Sequence, residues 1–404
     1  PMLRLVQGDV GCGKTIVACL AAIQAVANGY QVAFMAPTDI LSEQHYKSLQ
    51  NWLTPLEISC LRLSGKMKIS ERRQTLEALA KHECQIVVGT HALFQQDVEF
   101  TRLGLVIIDE QHRFGVEQRL QLQQKGQNEN TMPHQLLMTA TPIPRTLAMT
   151  RFAHLDLSII DELPPGRTPI HTSVIPQNKR EQIIERLQEA IISGRQVYWV
   201  CTLVEESEKL QCMAATETAL QLQEALGSAR VGLVHGRMKG AEKDATMSAF
   251  KTGELDLLVA TTVIEVGVDV PNASLMIIEN AERLGLSQLH QLRGRVGRGS
   301  VQSHCLLLYQ GPLSQVGYER LQVMRSTTDG FIIAEKDLRI RGSGEFLGSR
   351  QTGYRQFKFA DLARDEHLLP KVTETARELM ENNQDLARRI AHRWLGQFEQ
   401  YLQG

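Results

Sequence analysis

The chain has 404 residues, of which 43% are hydrophobic, so wholesale disorder is excluded and two or three packed domains are expected. Its 44 Lys and Arg residues balance 45 Asp and Glu residues, so it lacks the global positive charge typical of nucleic-acid-binding proteins. The seven cysteines form no Cys-x-x-Cys pair, which argues against a zinc site or disulfide framework and favours a reducing cytosol. No apolar run approaches the roughly 18–20 residues that span a bilayer.

In the first half of the chain, short apolar β-branched runs alternate with longer helical patterns, which predicts an α/β fold with a parallel sheet. The predicted strands are residues 3–7, 31–36, 85–88, 105–108 and 135–138. A helix is predicted over residues 14–26, where the Asn28-Gly29 turn signal stops it. The strands are apolar on both faces, as expected when helices cover both sides of a sheet.

Residues 161–169 contain three prolines and a glycine, which predicts a linker. The alternation then restarts, with predicted strands at residues 196–200, 231–234, 257–261, 275–278 and 305–309. Beyond residue 310 the pattern is mostly helical, with a Gly- and Arg-rich loop at residues 339–353. The predicted domains are therefore 1–160, the linker 161–169, 170–310 and a helical C-terminal region, 311–404.

The first functional motif fits the spacing Gly-x-x-x-x-Gly-Lys-Ser/Thr of a phosphate-binding loop. A strand precedes it and a helix follows, which makes a chance match by a Gly-rich turn a poor alternative. Backbone N–H groups surround phosphate oxygens in such a loop, Lys14 reaches the β- and γ-phosphates, and the Thr15 hydroxyl can ligate Mg²⁺. The predicted nucleotide-binding residues are Gly8, Asp9, Val10, Gly11, Cys12, Gly13, Lys14 and Thr15.

The second motif is an apolar strand that ends in two carboxylates, Asp109 and Glu110. Asp109 is predicted to hold Mg²⁺, and Glu110 is predicted to be the base for the attacking water. The alternative for a lone Asp-Glu pair is an acidic turn after a core strand. The phosphate loop about a hundred residues upstream favours the functional interpretation.

These motifs and three others resemble those of superfamily 2 helicases. Asp109-Glu110-Gln111-His112 resembles the Asp-Glu-x-His box, and Thr139-Ala140-Thr141 resembles the third motif. Residues 259–269 and 288–298 resemble the fifth and sixth motifs. The resemblance implies two tandem RecA-like domains, ATP and Mg²⁺ as cofactors, and further residues at the ATP site: Gln111, His112, Gly267 and Asp269. His112 is expected to couple the nucleotide site to the DNA site. The alternative is that its side chain is packed and hydrogen-bonded and has only a structural role.

The sixth motif carries two arginines, Arg295 and Arg298, which are three residues apart and so are expected to share a helix face. Planar guanidinium groups suit the charge that grows on a γ-phosphoryl group during transfer. We therefore expect Arg295 and Arg298, like Lys14 and Glu110, to be catalytic. The alternative is a solvated basic helix, and which arginine contributes more is left open.

Three segments narrow the resemblance to a small branch that contains the RecG and transcription-repair coupling factor families: residues 89–92, 109–115 and 140–147. Residues 329–353 resemble the translocation motif that both share. Gln111 favours the RecG family, because the coupling-factor family is expected to have Glu at this third position of the box, in the pattern Asp-Glu-Glu-His. The RecG resemblance implies remodelling of stalled replication forks and Holliday junctions in recombination and repair. A coupling-factor motor and a nucleotide-gated DNA clamp without productive hydrolysis are the alternatives.

Candidate DNA contacts follow the predicted strands at their carboxyl ends, where ligands bind open α/β sheets. Pro37, Thr38, Gly89, Thr90 and His91 offer hydroxyl and N–H groups for phosphates, although Thr38 and Thr90 could instead cap helices. Thr261 and Thr262 are expected to act similarly. The basic excess of residues 339–358 is expected to face duplex DNA, with a solvated charged face as the alternative. Arg350 and Gln351 in this stretch are expected to contact the DNA or instead to hold the loop against the motor.

The chain starts at Pro1, directly against the first predicted strand, so we expect the natural N-terminus to lie upstream. The resemblance implies an upstream wedge domain and adenine-reading segment, without which weak hydrolysis and poor selection of forks are expected. It also implies branched double-stranded DNA and single-stranded-DNA-binding protein as partners, and no membrane. The other expectations are a monomer and a cytoplasmic, nucleoid-associated location.

Overall fold

The computed structural model describes residues 1–65, 67–111, 114, 125–126, 132–141, 155–162, 168–202, 208–262, 270–299, 301–346 and 365–395. These residues form two parallel sheets in sequence, each covered by helices, followed by a helical region. The predicted α/β fold class is confirmed.

The first sheet has seven strands in the order β3-β4-β2-β5-β6-β1-β7, and all adjacent pairs are parallel. Its strands are β1 Leu3–Gly8, β2 Gln31–Met35, β3 Cys60–Leu63, β4 Ile86–Gly89, β5 Leu103–Ile108, β6 His134–Thr139 and β7 Asp156–Ile160. The helices of this domain that lie in described residues are α1 Lys14–Ala27, α2 Asp39–Leu53 and α3 Ile69–Ala80.

The second sheet has six parallel strands in the order β10-β11-β9-β12-β13-β8. Its strands are β8 His171–Pro176, β9 Gln196–Val200, β10 Val231–Val234, β11 Leu257–Ala260, β12 Ala273–Ile278 and β13 His304–Tyr309. The helices between them are α4 Arg180–Ile192, α5 Glu208–Leu226, α6 Gly240–Lys251 and α7 Leu286–Arg293. Among the described residues, the short 3₁₀ helices are Thr54–Leu56, His91–Phe94, Gln177–Lys179, Ala281–Arg283 and Glu366–Leu368.

Each sheet separates two hydrophobic cores, because successive side chains of a strand point to opposite faces. In β5, Val106 and Ile108 pack into one core, whereas Leu105 and Ile107 pack into the other. All four are at most 4% exposed. Burial of such side chains contributes about 1.5–3 kcal/mol each, so the central strands hold the carboxyl edge of the sheet rigid.

The sequence prediction missed three strands, β3, β7 and β8, and each lies at the edge of its sheet. An edge strand has one neighbour and is partly open to solvent. In β8, for example, His171 and Ser173 are exposed, so the strand lacks the continuous apolar run that marked the central strands.

The helices after β13 are α8 Gln315–Ser326, α9 Gly330–Phe346, α10 Leu369–Asn382 and α11 Gln384–Leu395. Helices α8 and α9 pack against α7, and Leu321, Met324 and Ile333 are at most 1% exposed within the core of the second sheet. The predicted boundary at residue 310 stays a prediction, but α8 and α9 share their core with the second domain. Among the described residues, no helix has the length and hydropathy needed to cross a membrane.

Candidate functional site

The phosphate loop predicted at residues 8–15 joins the carboxyl end of β1 to the start of α1. Gly13 precedes the helix with φ +99°, a left-handed conformation that glycine adopts at no steric cost. The Nζ of Lys14 donates hydrogen bonds of 2.8 Å to the carbonyl oxygens of Gly8 and Asp9. The buried ammonium group and the first N–H groups of α1 therefore share one loop, an arrangement suited to anions.

The predicted acidic pair, Asp109 and Glu110, follows the carboxyl end of β5. One oxygen of Asp109, Oδ2, lies 2.8 Å from Nε2 of His45 in α2. The other, Oδ1, accepts the backbone N–H of Glu110 at 3.0 Å. Glu110 has φ +50°, and its carboxylate accepts the backbone N–H of Ala140 at the end of β6. Both carboxylates are thus held in fixed orientations.

The two carboxylates differ in their acidity. Burial raises the pKa of Glu110 to about 7, and the charge of Asp109 adds to this effect, while Lys14 and Arg295 oppose it. Burial would also raise the pKa of Asp109, but the hydrogen bond and charge of His45, followed by the charge of Lys14, hold it below its ordinary value. Asp109 is therefore the permanent anion of the pair, and Glu110 is the group that can exchange a proton near neutral pH.

Two side chains from α7 in the second domain reach the first domain. Nε2 of Gln291 donates to Oγ1 of Thr141 at 2.6 Å. Nε2 of His290 lies 2.7 Å from Oδ1 of Asp9 in the phosphate loop. The two domains therefore meet directly at the predicted nucleotide site, as the sequence motifs implied.

The expectation that Arg295 and Arg298 share a helix face is wrong. Helix α7 ends at Arg293, and both arginines lie in the turn that follows. Gly294 caps the helix and Gly297 has φ +82°, which a continuous helix cannot contain. Arg295 is only 7% exposed, whereas Arg298 is half-buried, with its Nε 3.4 Å from the carbonyl oxygen of Gly294.

Arg293, which was not among the predicted site residues, is 2% exposed and joins α7 to the helices that follow β13. Its Nη1 donates to the carbonyl oxygens of Met324 and Thr327 at 2.9 and 2.8 Å. Its Nη2 donates to the carbonyl oxygen of Thr328 at 3.2 Å and to Nδ1 of His290 at 3.1 Å. Arg293 therefore anchors His290 from the side opposite to Asp9.

The candidate DNA residues lie after the carboxyl ends of β2, β4 and β11, as predicted, but they differ in accessibility. Thr38 is the N-cap of α2, and its Oγ1 accepts the N–H of Leu41 at 3.3 Å, so the capping alternative is realised there. Thr90 makes no such capping bond. Thr90 and Thr261 are each at most 3% exposed as whole residues, so neither presents an open surface to a ligand here. Pro37, Thr262 and His91 are more accessible, and the DNA roles of all of them stay predictions.

Gly89, at the end of β4, leaves no space for a side chain. A Cβ there would lie 2.7 Å from the carbonyl oxygen of Leu63 and 2.8 Å from Cγ of Leu93. We expect Gly89→Ala to lower the free energy of unfolding by about 1–3 kcal/mol, measured by urea denaturation. Gly65→Ala is the control, because nothing lies within 4 Å of its added Cβ. Equal stabilities of the two variants would contradict this packing argument.

Five predicted site residues lie outside the described residues: His112, Gly267, Asp269, Arg350 and Gln351. Gln111 is described, is 5% exposed, and follows Glu110 in the same turn. The roles predicted for all six stay predictions.

The predicted Mg²⁺ ligands, Thr15 and Asp109, fit a hydrated ion held mainly by phosphates. Mg²⁺ in such sites takes one or two protein carboxylates and keeps several waters. The carboxylate of Asp109 bonds to His45 and to the Glu110 N–H, yet its two oxygens offer about four acceptor positions in all. Among the described residues, no group of three or more His, Cys, Asp or Glu side chains could hold a metal alone.

Sequence reasoning left His45 and His290 without a role. A signal for His45 was present, because it lies four residues from both Leu41 and Leu49, on the buried face of α2. A polar side chain on such a face indicates a buried partner. For His290 no comparable signal exists, since its partner Asp9 is 281 residues away in the chain.

Three family models match the chain in succession. Residues 3–150 match "DEAD/DEAH box helicase", and residues 178–300 match "Helicase conserved C-terminal domain". Residues 327–394 match "ATP-dependent DNA helicase RecG, domain 3, C-terminal".

Two curated relatives are both described as ATP-dependent DNA helicase RecG. The protein of Escherichia coli strain K12 is 61% identical over 402 residues, which cover 99% of this chain and 58% of the relative. The protein of Streptococcus pneumoniae serotype 4 is 52% identical over 380 residues, which cover 93% of this chain and 55% of the relative. The chain thus spans somewhat more than half the length of these relatives. A solved structure of RecG bound to a three-way DNA junction is similar, with a TM-score of 0.75 and 42% identity over 91% of this chain and 47% of that one.

Proposed function

The chain belongs to the RecG family of ATP-dependent DNA helicases, and on this premise we propose that it is a DNA-dependent ATPase whose two RecA-like domains form a motor on branched DNA. The observation that carries the proposal is the meeting of three groups at one cleft. Lys14 and Glu110 come from the first domain, and Arg295 lies close enough from the second to lower the pKa of Glu110. Membership of the RecG family removes the coupling-factor alternative.

In the proposed reaction, the phosphate loop and Lys14 hold the β- and γ-phosphates of ATP. Glu110, in its unprotonated form, orients the attacking water and accepts its proton. Arg295 and Arg298 face the γ-phosphoryl group from the second domain when the cleft is closed. Mg²⁺ on Thr15 and Asp109 would neutralise phosphate charge.

The proposed DNA substrate is a branched duplex, such as a stalled fork or a Holliday junction. The similarity to the RecG structure on a three-way junction supports this class of substrate. Pro37, His91 and Thr262, which follow the carboxyl edges of the two sheets, are the more accessible candidates for the contacts with one strand. Single-stranded-DNA-binding protein as a partner, the monomeric state and the cytoplasmic location remain predictions.

Phosphate release by this chain, with and without a three-way DNA junction, tests the proposal. We expect ATP hydrolysis to be faster with the junction than without DNA. Lys14→Ala is the control for contaminating ATPases, since it removes the ammonium group from the loop. ATP-dependent binding to the junction without phosphate release would instead favour the nucleotide-gated clamp.

A further inference from the structure

His290 is a buried histidine of the second domain that contacts the phosphate loop of the first. It is 4% exposed, and its Nε2 lies 2.7 Å from Oδ1 of Asp9. The two backbones approach closely here, because a Cβ added to Gly294 would lie 3.0 Å from Cβ of Val10. The contact thus lies where the two domains pack closely at the loop.

The neighbours of His290 define its hydrogen-bonding state. Its Nδ1 lies 3.1 Å from Nη2 of Arg293, and a guanidinium group can only donate. Nδ1 must therefore be the acceptor, so the proton of the neutral ring is on Nε2. Nε2 then donates to the carboxylate of Asp9, which gives a charge-assisted hydrogen bond across the cleft.

Asp9 transmits this contact to the groups that bind phosphate. Its Oδ1 also accepts the N–H of Val10 at 2.6 Å, which ties the side chain to its own loop. Its carbonyl oxygen accepts from Nζ of Lys14 at 2.8 Å and from the N–H of Cys12 at 3.2 Å. A shift of Asp9 would therefore move both the lysine and the loop.

We propose that His290 is a positioning residue that holds the phosphate loop, through Asp9, in its nucleotide-binding shape when the two domains close. This inference rests on the proposed function and extends it. The second domain then affects nucleotide affinity through His290, although this side chain does not touch the nucleotide. Cleft closure and loop geometry are one coupled event.

A double-mutant cycle on the dissociation constant of a fluorescent, non-hydrolysable ATP analogue tests this role. We expect His290→Ala to weaken binding about tenfold, the effect of one lost charge-assisted hydrogen bond. Asp9→Ala should weaken binding of the analogue at least as much, because this substitution also removes the hydrogen bond from the Val10 N–H to the Asp9 carboxylate. In the Asp9→Ala background, His290→Ala should have no further effect. His290→Gln keeps a donor near the Nε2 position and should recover most of the affinity.

Gln291→Ala is the matched control, because Gln291 also crosses the cleft but contacts Thr141 and not Asp9. Its effect should persist unchanged in the Asp9→Ala background. Thermal unfolding of every variant separates misfolding from weaker binding. Additive effects of His290→Ala and Asp9→Ala, or a His290→Gln variant as weak as His290→Ala, would overturn the inference. Failure of the unchanged chain to bind the analogue would contradict the proposed function itself, so the two failures are distinguishable.

Discussion

Replacement of Arg295 by Ala should lower the kcat of DNA-stimulated ATP hydrolysis by about 10³-fold or more, as expected for the loss of an arginine finger. Arg295 is 7% exposed and close enough to Glu110 to oppose the rise in its pKa. A charge at this place acts at short range and with little screening, so it can stabilise the charge that develops on the γ-phosphoryl group. Steady-state phosphate release at saturating DNA measures the effect.

Arg298→Ala is the matched control and should have a smaller effect on kcat. Arg298 is more exposed, and its Nε is directed to the carbonyl oxygen of Gly294. The sequence left open which arginine contributes more, and from these differences in burial we predict that it is Arg295. A larger loss in Arg298→Ala than in Arg295→Ala would show that the order of the two arginines is the reverse.

Glu110→Gln should lower kcat by about 10²–10⁴-fold while nucleotide binding is retained, because it removes the proposed general base and little else. The amide keeps the size of the carboxylate and an oxygen that can accept the N–H of Ala140. Single-turnover phosphate release and titration with the ATP analogue separate the two effects.

Glu77→Gln provides the control for this substitution. Glu77 lies on the exposed face of α3 in an ion pair with Arg73, and its loss should leave kcat unchanged. If the Glu110→Gln variant hydrolysed ATP nearly as fast as the unsubstituted chain, another group would have to orient the water. If it failed to bind the analogue, Glu110 would have a role in binding the nucleotide.

Most of the strands that the sequence predicted have side chains buried on both faces; β10, an edge strand, and β13 are only half-buried on one face. For β9 and β10 the predicted bounds coincide with the observed ones. The missed strands, β3, β7 and β8, form because a neighbour offers hydrogen bonds, and the neighbour is not visible in a local pattern. The end of α7 shows the same limit, because the periodicity of the sixth motif predicted a helix where two glycines end it.

At the candidate site, local motifs predicted the residues of the phosphate loop and of the acidic pair, because the spacing of residues along the chain defines both motifs. They could not supply His45 beside Asp109 or His290 beside Asp9, which are brought together from positions 64 and 281 residues apart. Such pairs depend on the register of helices against the sheets and on how the domains meet. The state of Glu110 is likewise a property of its surroundings, since burial sets its pKa.

The shared core of the second sheet with α8 and α9 has a geometrical consequence. Because Leu321 and Ile333 are buried in that core, a rotation of the second domain must turn both helices through the same angle. Helix α9 has 17 residues and is therefore about 25 Å long. In a rigid body, displacement grows with distance from the axis, so each point of α8 and α9 moves in proportion to its distance from the cleft when the domain turns about an axis there. An angular change at the nucleotide is thus passed to both helices as a movement of the whole body.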